Sequence, residues 1–360
     1  MLINVCPCYL TNLKITGQSN KTVILPLTES RKTLFINAVT FLSLVLLVEF
    51  LLFLGLVFPS SIPSFLLSPY RLYYQSSDRN IIQVTPCAQY DSGLFYMLKP
   101  GTCFFENREF NVENRINMAG LRDDDASLQN PSVVVLGDSY AMGWGVNQDE
   151  AFPQLLEETI EKPVLNAGIS SFGTARAVKL FNRLNLSDVR AIIFQYHAND
   201  FEENETFIKH DYKLPIRSKE TYDSLCKNIN EREDYYPLKH LYGLTKAVSR
   251  KLLNKPPKVI SDVTSAQAFF EVINHLKINR DSVQILVFKV DDYDRINDSF
   301  ALTIDSLSNT PTYSGWNIKT IKLEGVLLQD DYFVLDDHIN AQGHLKIAQK
   351  LAQSLKPISD

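Results

Sequence analysis

The strongest pattern in the chain is an apolar run with no polar face. From Leu34 to Phe58 only Asn37, Thr40, Ser43 and Glu49 are polar. As a helix this stretch rises about 37 Å, more than the ~30 Å hydrocarbon core of a bilayer. A secretory apolar region is shorter and ends in small residues, and Phe58-Pro59-Ser60 is not such an ending. The run predicts a retained transmembrane helix over 34–58. Lys14, Lys21, Arg31 and Lys32 precede it, whereas only Arg71 follows before Asp78. The bias predicts a cytoplasmic N-terminal segment, 1–33, and an extracytoplasmic remainder, periplasmic in a Gram-negative cell. Glu49 costs free energy in lipid, so it is expected either to find a partner, including a second membrane protein, or to draw in local water.

Beyond the span the pattern changes twice. Pro59, Pro63 and Pro69 predict an extended stalk, and 59–129 reads as a loop-rich membrane-proximal segment. In it Asn117 to Asp123 reads as a turn, either a solvated loop or one with the option of a buried Arg122–carboxylate pair. From 130 to 360 short apolar runs alternate with amphipathic stretches. Val133–Leu136, Val164–Leu165, Ala191–Tyr196 and Gln284–Val290 read as buried strands, with another expected within Trp316–Leu323. Helices are expected with an apolar face at Phe152, Leu155, Leu156 and Ile160, with Ala177, Val178, Leu180, Phe181 and Leu184 behind a cap at 170–174, around Phe269–Leu276 and from Ala341 to Leu355, the last with Asn340 as N-cap. Such alternation predicts an α/β domain with a parallel sheet covered on both faces. The charged, aromatic stretch 201–260 is too long for a plain loop. It is expected either to hold one or two short helices near the carboxyl edge of the sheet, as a lid or substrate-binding insert, or to form a solvated surface excursion.

Composition narrows the functional classes. The 360 residues carry a net charge of -5, with no basic run. Nucleic-acid binding has no electrostatic support. Cys87 and Cys103 fall on the extracytoplasmic side, where a disulfide can form; two buried free thiols are the alternative. Cys6 and Cys8 fall on the cytoplasmic side and make no zinc motif, and Cys226 is left over.

The candidate chemistry lies at the ends of the predicted strands, where open α/β sheets place their sites. Val133-Val-Val-Leu-Gly-Asp-Ser139 is a strand emptying into a tight turn that presents a serine. Alone it reads as an ordinary turn. Gly168, Asn199 and the pair Asp336/His338 also lie at or just after strand ends. A serine nucleophile needs a base, histidine is the usual one, and the histidine needs an acceptor. The developing oxyanion needs donors. The backbone N–H groups of Ser139 and Gly168 and the side-chain amide of Asn199 are the candidates.

Four blocks in order resemble the SGNH (GDSL-type) hydrolases, in particular their membrane-anchored bacterial members. They are Gly137-Asp-Ser139-Tyr140, Asn166-Ala-Gly168, Ala198-Asn199-Asp200 and Asp336-Asp-His338-Ile-Asn-Ala-Gln-Gly-His344. Asn117…Gly120-Leu-Arg122 and Gly143-Trp144-Gly145-Val146 resemble the anchored subgroup as well. The resemblance implies a three-layer α/β/α flavodoxin-like fold. It further implies Ser139 as nucleophile, His338 as base and Ser139, Gly168 and Asn199 as oxyanion hole, with neither metal nor organic cofactor. Two positions depart from the family pattern. His197 replaces a glycine two residues before Asn199, and Leu335 stands where the family's acid is common. Asp336 is the expected acid, with Asp337 expected to point elsewhere and a Ser–His dyad on a backbone carbonyl left open. The implied activity is a membrane-anchored esterase acting on O-acyl groups of an envelope glycan or lipid. The alternatives are an O-acetyltransferase using the same residues with a membrane donor protein, which Glu49 would contact, and an inactive scaffold in envelope-polymer assembly.

Overall fold

The computed structural model describes residues 29–230, 235–254, 259–293 and 295–356. Most of the expected cytoplasmic segment, with Cys6, Cys8, Lys14 and Lys21, lies outside the described residues, as do Pro256 and Pro257. The apolar run forms helix α1, Glu29–Val57, which is long and apolar enough to cross a membrane. Its side chains from Leu34 to Val48 are almost all exposed. From Glu49 onward the chain is one compact unit.

The expected stalk is a folded part of that unit. Pro69 is tolerated inside helix α2, Ser64–Tyr73, which runs into a π-turn over Tyr74–Asp78. Two antiparallel hairpins follow. One pairs β1, Ala88–Asp91, with β2, Phe95–Leu98; the other pairs β3, Gly101–Asn107, with β4, Phe110–Ile116. Cys87 and Cys103 are joined in a disulfide between them. Ile82, Leu94, Tyr96, Leu98 and Phe105 are buried in the main core. The prolines dominated the sequence pattern, but this alternation of short apolar strands buries more surface than an extended segment could.

The centre is a parallel sheet. β5, Val133–Gly137, leads through a single turn, α3, Ser139–Met142, to α4, Phe152–Ile160. Then come β6, Val164–Gly168; α5, Thr174–Leu184; and β7, Ala191–Tyr196. Among its described residues the insert holds three helices: α6, Asp200–Lys209; α7, Lys219–Asn230; and α8, Lys239–Leu253. The chain returns through α9, Asp262–Ile273; β8, Gln284–Lys289; α10, Ser299–Ser308; β9, Ile318–Thr320; and α11, Ala341–Ala352. The strand order is β6-β5-β7-β8-β9, and every pairing is parallel. That is the flavodoxin-like order, with its switch point beside β5. Every residue of β5 is buried because its two faces meet different layers. Val134 and Leu136 pack with α5 and α9, whereas Val133 and Val135 pack with α4 and α11. This is the three-layer α/β/α fold that the SGNH resemblance implied.

The insert is more ordered than expected, with one helix of 15 residues. His240, Gly243 and Ala247 give α8 a single buried face. A Cβ on Gly243 would lie 2.3 Å from the Tyr73 ring, so only glycine lets α8 approach α2 this closely. Glu49 finds its partner here, in its own chain. Its carboxylate accepts the N–H groups of His240 (3.1 Å) and Leu241 (2.8 Å), at the N-terminus of α8. Each such charged bond contributes about 1.5–3 kcal/mol, and the helix dipole adds to them. Together they offset the several kcal/mol that a buried carboxylate costs.

Candidate active site

The serine is held by its own turn. Asp138 caps α3 by accepting the Tyr140 N–H at 2.9 Å, which places Ser139 at the first helical position. Gly143, at φ +89°, ends the turn in the left-handed region. The three carbonyls left there are gathered by the buried Arg122. Its Nη1 donates to Met142 O (3.2 Å) and Gly143 O (2.5 Å), and its Nη2 to Val146 O (2.7 Å). Backbone carbonyls hold the guanidinium, where the sequence leaves a carboxylate partner as an option and a solvated loop as the alternative. Burial lowers the Arg122 pKa to about 10, so the guanidinium stays charged at neutral pH.

His338 comes from the loop before α11. Its Nε2 lies 2.7 Å from Ser139 Oγ, and its Nδ1 lies 2.5 Å from Asp336 Oδ1. With the proton on Nδ1, Nε2 is free to accept from the serine hydroxyl. The row is complete, and the acid two residues before the histidine reaches it without a dyad arrangement. The Asp336 side chain is fully buried. Its other oxygen accepts from Tyr74 OH (2.9 Å) and Trp144 Nε1 (3.2 Å). The Trp144 ring stacks on the imidazole at 4.7 Å, and the Tyr140 ring lies at the same distance, tilted. These contacts limit the imidazole to small rotations.

Asp337 does not point elsewhere. Its Oδ1 is 3.1 Å from His338 Nδ1 and 2.6 Å from Arg79 Nη1. The backbone turn carries two adjacent carboxylates to one nitrogen because Arg79 draws Asp337 inward. Burial works against the imidazolium, but the Asp336 and Asp337 carboxylates outweigh it and raise His338 to about 9. Burial would raise the Asp337 carboxyl, but His338 and Arg79 hold it well below the usual range. Asp336, Asp337 and His338 place possible ligand atoms within 4.8 Å of one another, and Arg79 already supplies a cation to that cluster.

The acid-bearing loop is pinned by a residue that the sequence analysis did not single out. Glu109, at the tip of the β3–β4 hairpin, accepts three successive backbone N–H groups: Val334 (2.6 Å), Leu335 (2.8 Å) and Asp336 (2.8 Å). Burial raises its pKa, while these bonds oppose the rise. Glu109→Ala leaves three N–H groups without their acceptor and is expected to cost on the order of 3 kcal/mol. Glu109→Gln, which keeps one acceptor oxygen, is expected to cost about 1 kcal/mol. Denaturant unfolding of the detergent-solubilised chain measures both. Equal losses for the two variants would contradict the pinning role.

The expected oxyanion donors are placed differently from one another. Among the described residues the Ser139 N–H makes no hydrogen bond. Gly168 is register partner to Gly137, and a Cβ on it would lie 2.4 Å from Met142 N, so it must be glycine for α3 to pack there. Its N–H donates to Asn166 Oδ1 at 3.1 Å, so it can reach an oxyanion only by giving up that bond. Asn199 is exposed at the start of α6, and its side chain caps nothing there. It lines a cleft of about 680 Å³ with Tyr96, Arg176, Arg217 and Tyr222. Tyr74, Arg79 and Glu109 carried no sequence signal, because the segment that supplies them read as a stalk. Trp144 stood in a block already noted for its resemblance.

No protein-family model matches the chain, and no curated protein matches it. Solved structures do. A lipolytic protein of the G-D-S-L family from Desulfitobacterium hafniense is 15% identical, with 63% of this chain and 100% of that one covered, at a TM-score of 0.32. A second member from Veillonella parvula is 13% identical over 61% of this chain and 96% of that one, at 0.37. An extracellular lipase from Streptomyces rimosus is 12% identical over 62% and 97%, at 0.32. Similarity this distant assigns no residue a role; the row from Ser139 to Asp336 stands on its own distances.

Proposed function

We propose that the chain is a membrane-anchored SGNH-type serine esterase, acting outside the cytoplasm on O-acyl groups of an envelope glycan or lipid. One observation carries this reading: His338 Nε2 stands 2.7 Å from Ser139 Oγ while Asp336 holds the opposite ring nitrogen. An inactive scaffold has no need of that row. His338 takes the serine proton as Oγ attacks the ester carbonyl, and the imidazolium is stabilised by the two carboxylates. The oxyanion is met by the Ser139 N–H and the Asn199 amide, joined by Gly168 once Asn166 releases it. His338 then protonates the departing alcohol, leaving an acyl-serine. Water, deprotonated by the same imidazole, attacks the acyl carbonyl; the bond to Ser139 Oγ breaks, His338 returns the proton to that oxygen, and the acid leaves.

The test uses the full chain in detergent. It is expected to hydrolyse p-nitrophenyl acetate and to take a fluorophosphonate label at Ser139, located by peptide mass. An intact protein that does neither would overturn the reading. Acetyl transfer to a glycan hydroxyl faster than hydrolysis would instead make it an acetyltransferase with the same acyl-enzyme.

A further inference from the structure

The apolar run continues past Val48 into the compact unit that begins at Glu49. Leu34 to Val48, the part before Glu49, rises about 22 Å as a helix, and Arg31 and Lys32 mark where it begins. A span needs about 20 residues, which carries the hydrocarbon boundary on to about Phe53. Glu49 therefore lies about 6 Å inside that boundary. Yet Glu49 is buried against the first turn of α8, and Leu52 and Leu56 are buried with Tyr70, Tyr73 and Tyr74. Whatever packs on this end of α1 is brought to the same depth.

The surfaces so placed are apolar and edged with bases. Phe65 on α2 is 79% exposed, and Leu252 and Leu253 on α8 are 79% and 84% exposed. Tyr242 and Val248 are exposed on the same helix, interleaved with exposed Lys246, Arg250 and Lys251. An amphipathic helix with apolar anchors and lysine or arginine between them is the form that lies in a bilayer interface.

We infer that α8, with α2, is a membrane-seated collar. It lies in the leaflet on the side of the folded unit, its exposed apolar side chains in the acyl region and its bases at anionic headgroups. The collar reaches the candidate site directly. Leu335 is buried in the same cluster as Leu52 and Tyr73, Tyr74 donates to Asp336, and Lys251 shares a cleft of about 160 Å³ with Asp336 and Asp337.

The test places an environment-sensitive nitrobenzoxadiazole label at Tyr242→Cys, at Leu252→Cys and, as the control on α10, at Leu302→Cys. The background is the full chain with Cys6, Cys8 and Cys226 replaced by serine. The protein is reconstituted in phosphatidylethanolamine–phosphatidylglycerol vesicles with or without doxyl-labelled phosphatidylcholine. Labels at 242 and 252 are expected to emit to the blue and to be quenched by the doxyl lipid at least about twofold more than the label at 302. Aqueous iodide is expected to quench 302 most. Iodide quenching at 252 equal to that at 302 would overturn the collar, and so would lipid quenching confined to 242. The readout does not involve hydrolysis, so an inactive chain leaves the test intact. All three positions are exposed and tolerate a label without disturbing the core.

Discussion

Ser139→Ala is expected to lower kcat/KM for p-nitrophenyl acetate by about 10⁴-fold or more, equivalent to roughly 5 kcal/mol of lost transition-state stabilisation. The variant keeps the backbone N–H at position 139 and the imidazole with its two carboxylates. It loses the one atom that forms the acyl bond in the proposed reaction. What remains is binding and oxyanion stabilisation, and the residual rate measures them. Stability is expected to change by less than about 1 kcal/mol, because Ala fits the first position of α3 and only the bond to His338 Nε2 is lost. A variant that folds, binds substrate and turns over at more than a tenth of the parent rate would remove Ser139 as nucleophile.

The second large effect separates the two carboxylates on one imidazole. Asp336→Asn is expected to reduce kcat/KM by about 10³-fold or more, because an amide nitrogen facing Nδ1 favours the wrong tautomer. Asp336 also accepts from Tyr74 and Trp144, so the substitution disturbs a fully buried network. Asp337→Asn is expected to cost about tenfold or less, since Asp336 remains at 2.5 Å. The pH profile gives a separate readout. The base works only when neutral, so kcat/KM in the parent is expected to rise with pH through the His338 pKa of about 9. Removing the Asp337 charge removes one of the groups favouring the imidazolium, so this limb is expected to move to lower pH. If Asp337→Asn lost more activity than Asp336→Asn, the acid assignment would be reversed.

Much of the scaffold was legible in the chain because each signal was local. Val133–Gly137 is apolar at every position, which suits a strand buried on both faces. Asn340 was expected to cap the last helix, and its side chain accepts from Gln342 and Gly343 there. The stalk reading failed for the opposite reason. Short strands such as Ala88–Asp91 and Phe95–Leu98 are stabilised by what they pack on, and three prolines upstream outweighed them in a local reading. The insert was underestimated likewise. The buried face of α8 rests on His240, Gly243 and Ala247, residues with no apolar periodicity of their own.

By itself the sequence determined the apolar helix and the α/β alternation, and it singled out the serine, the histidine and the acid two residues before it as candidates. Those are properties of residue type and spacing along one strand or helix. Tertiary structure decided how the acid is held. Tyr74, Arg79 and Glu109 lie more than two hundred residues before the loop they organise, and hydrogen bonding across that separation leaves no periodic trace in the chain. It also decided that Asp337 shares the imidazole, since a guanidinium from a distant turn sets the direction of that side chain. And it decided the partner of Glu49. A carboxylate inside an apolar run announces that a donor must exist, but only the packing of α8 against α1 shows that the donor is a helix N-terminus of the same chain.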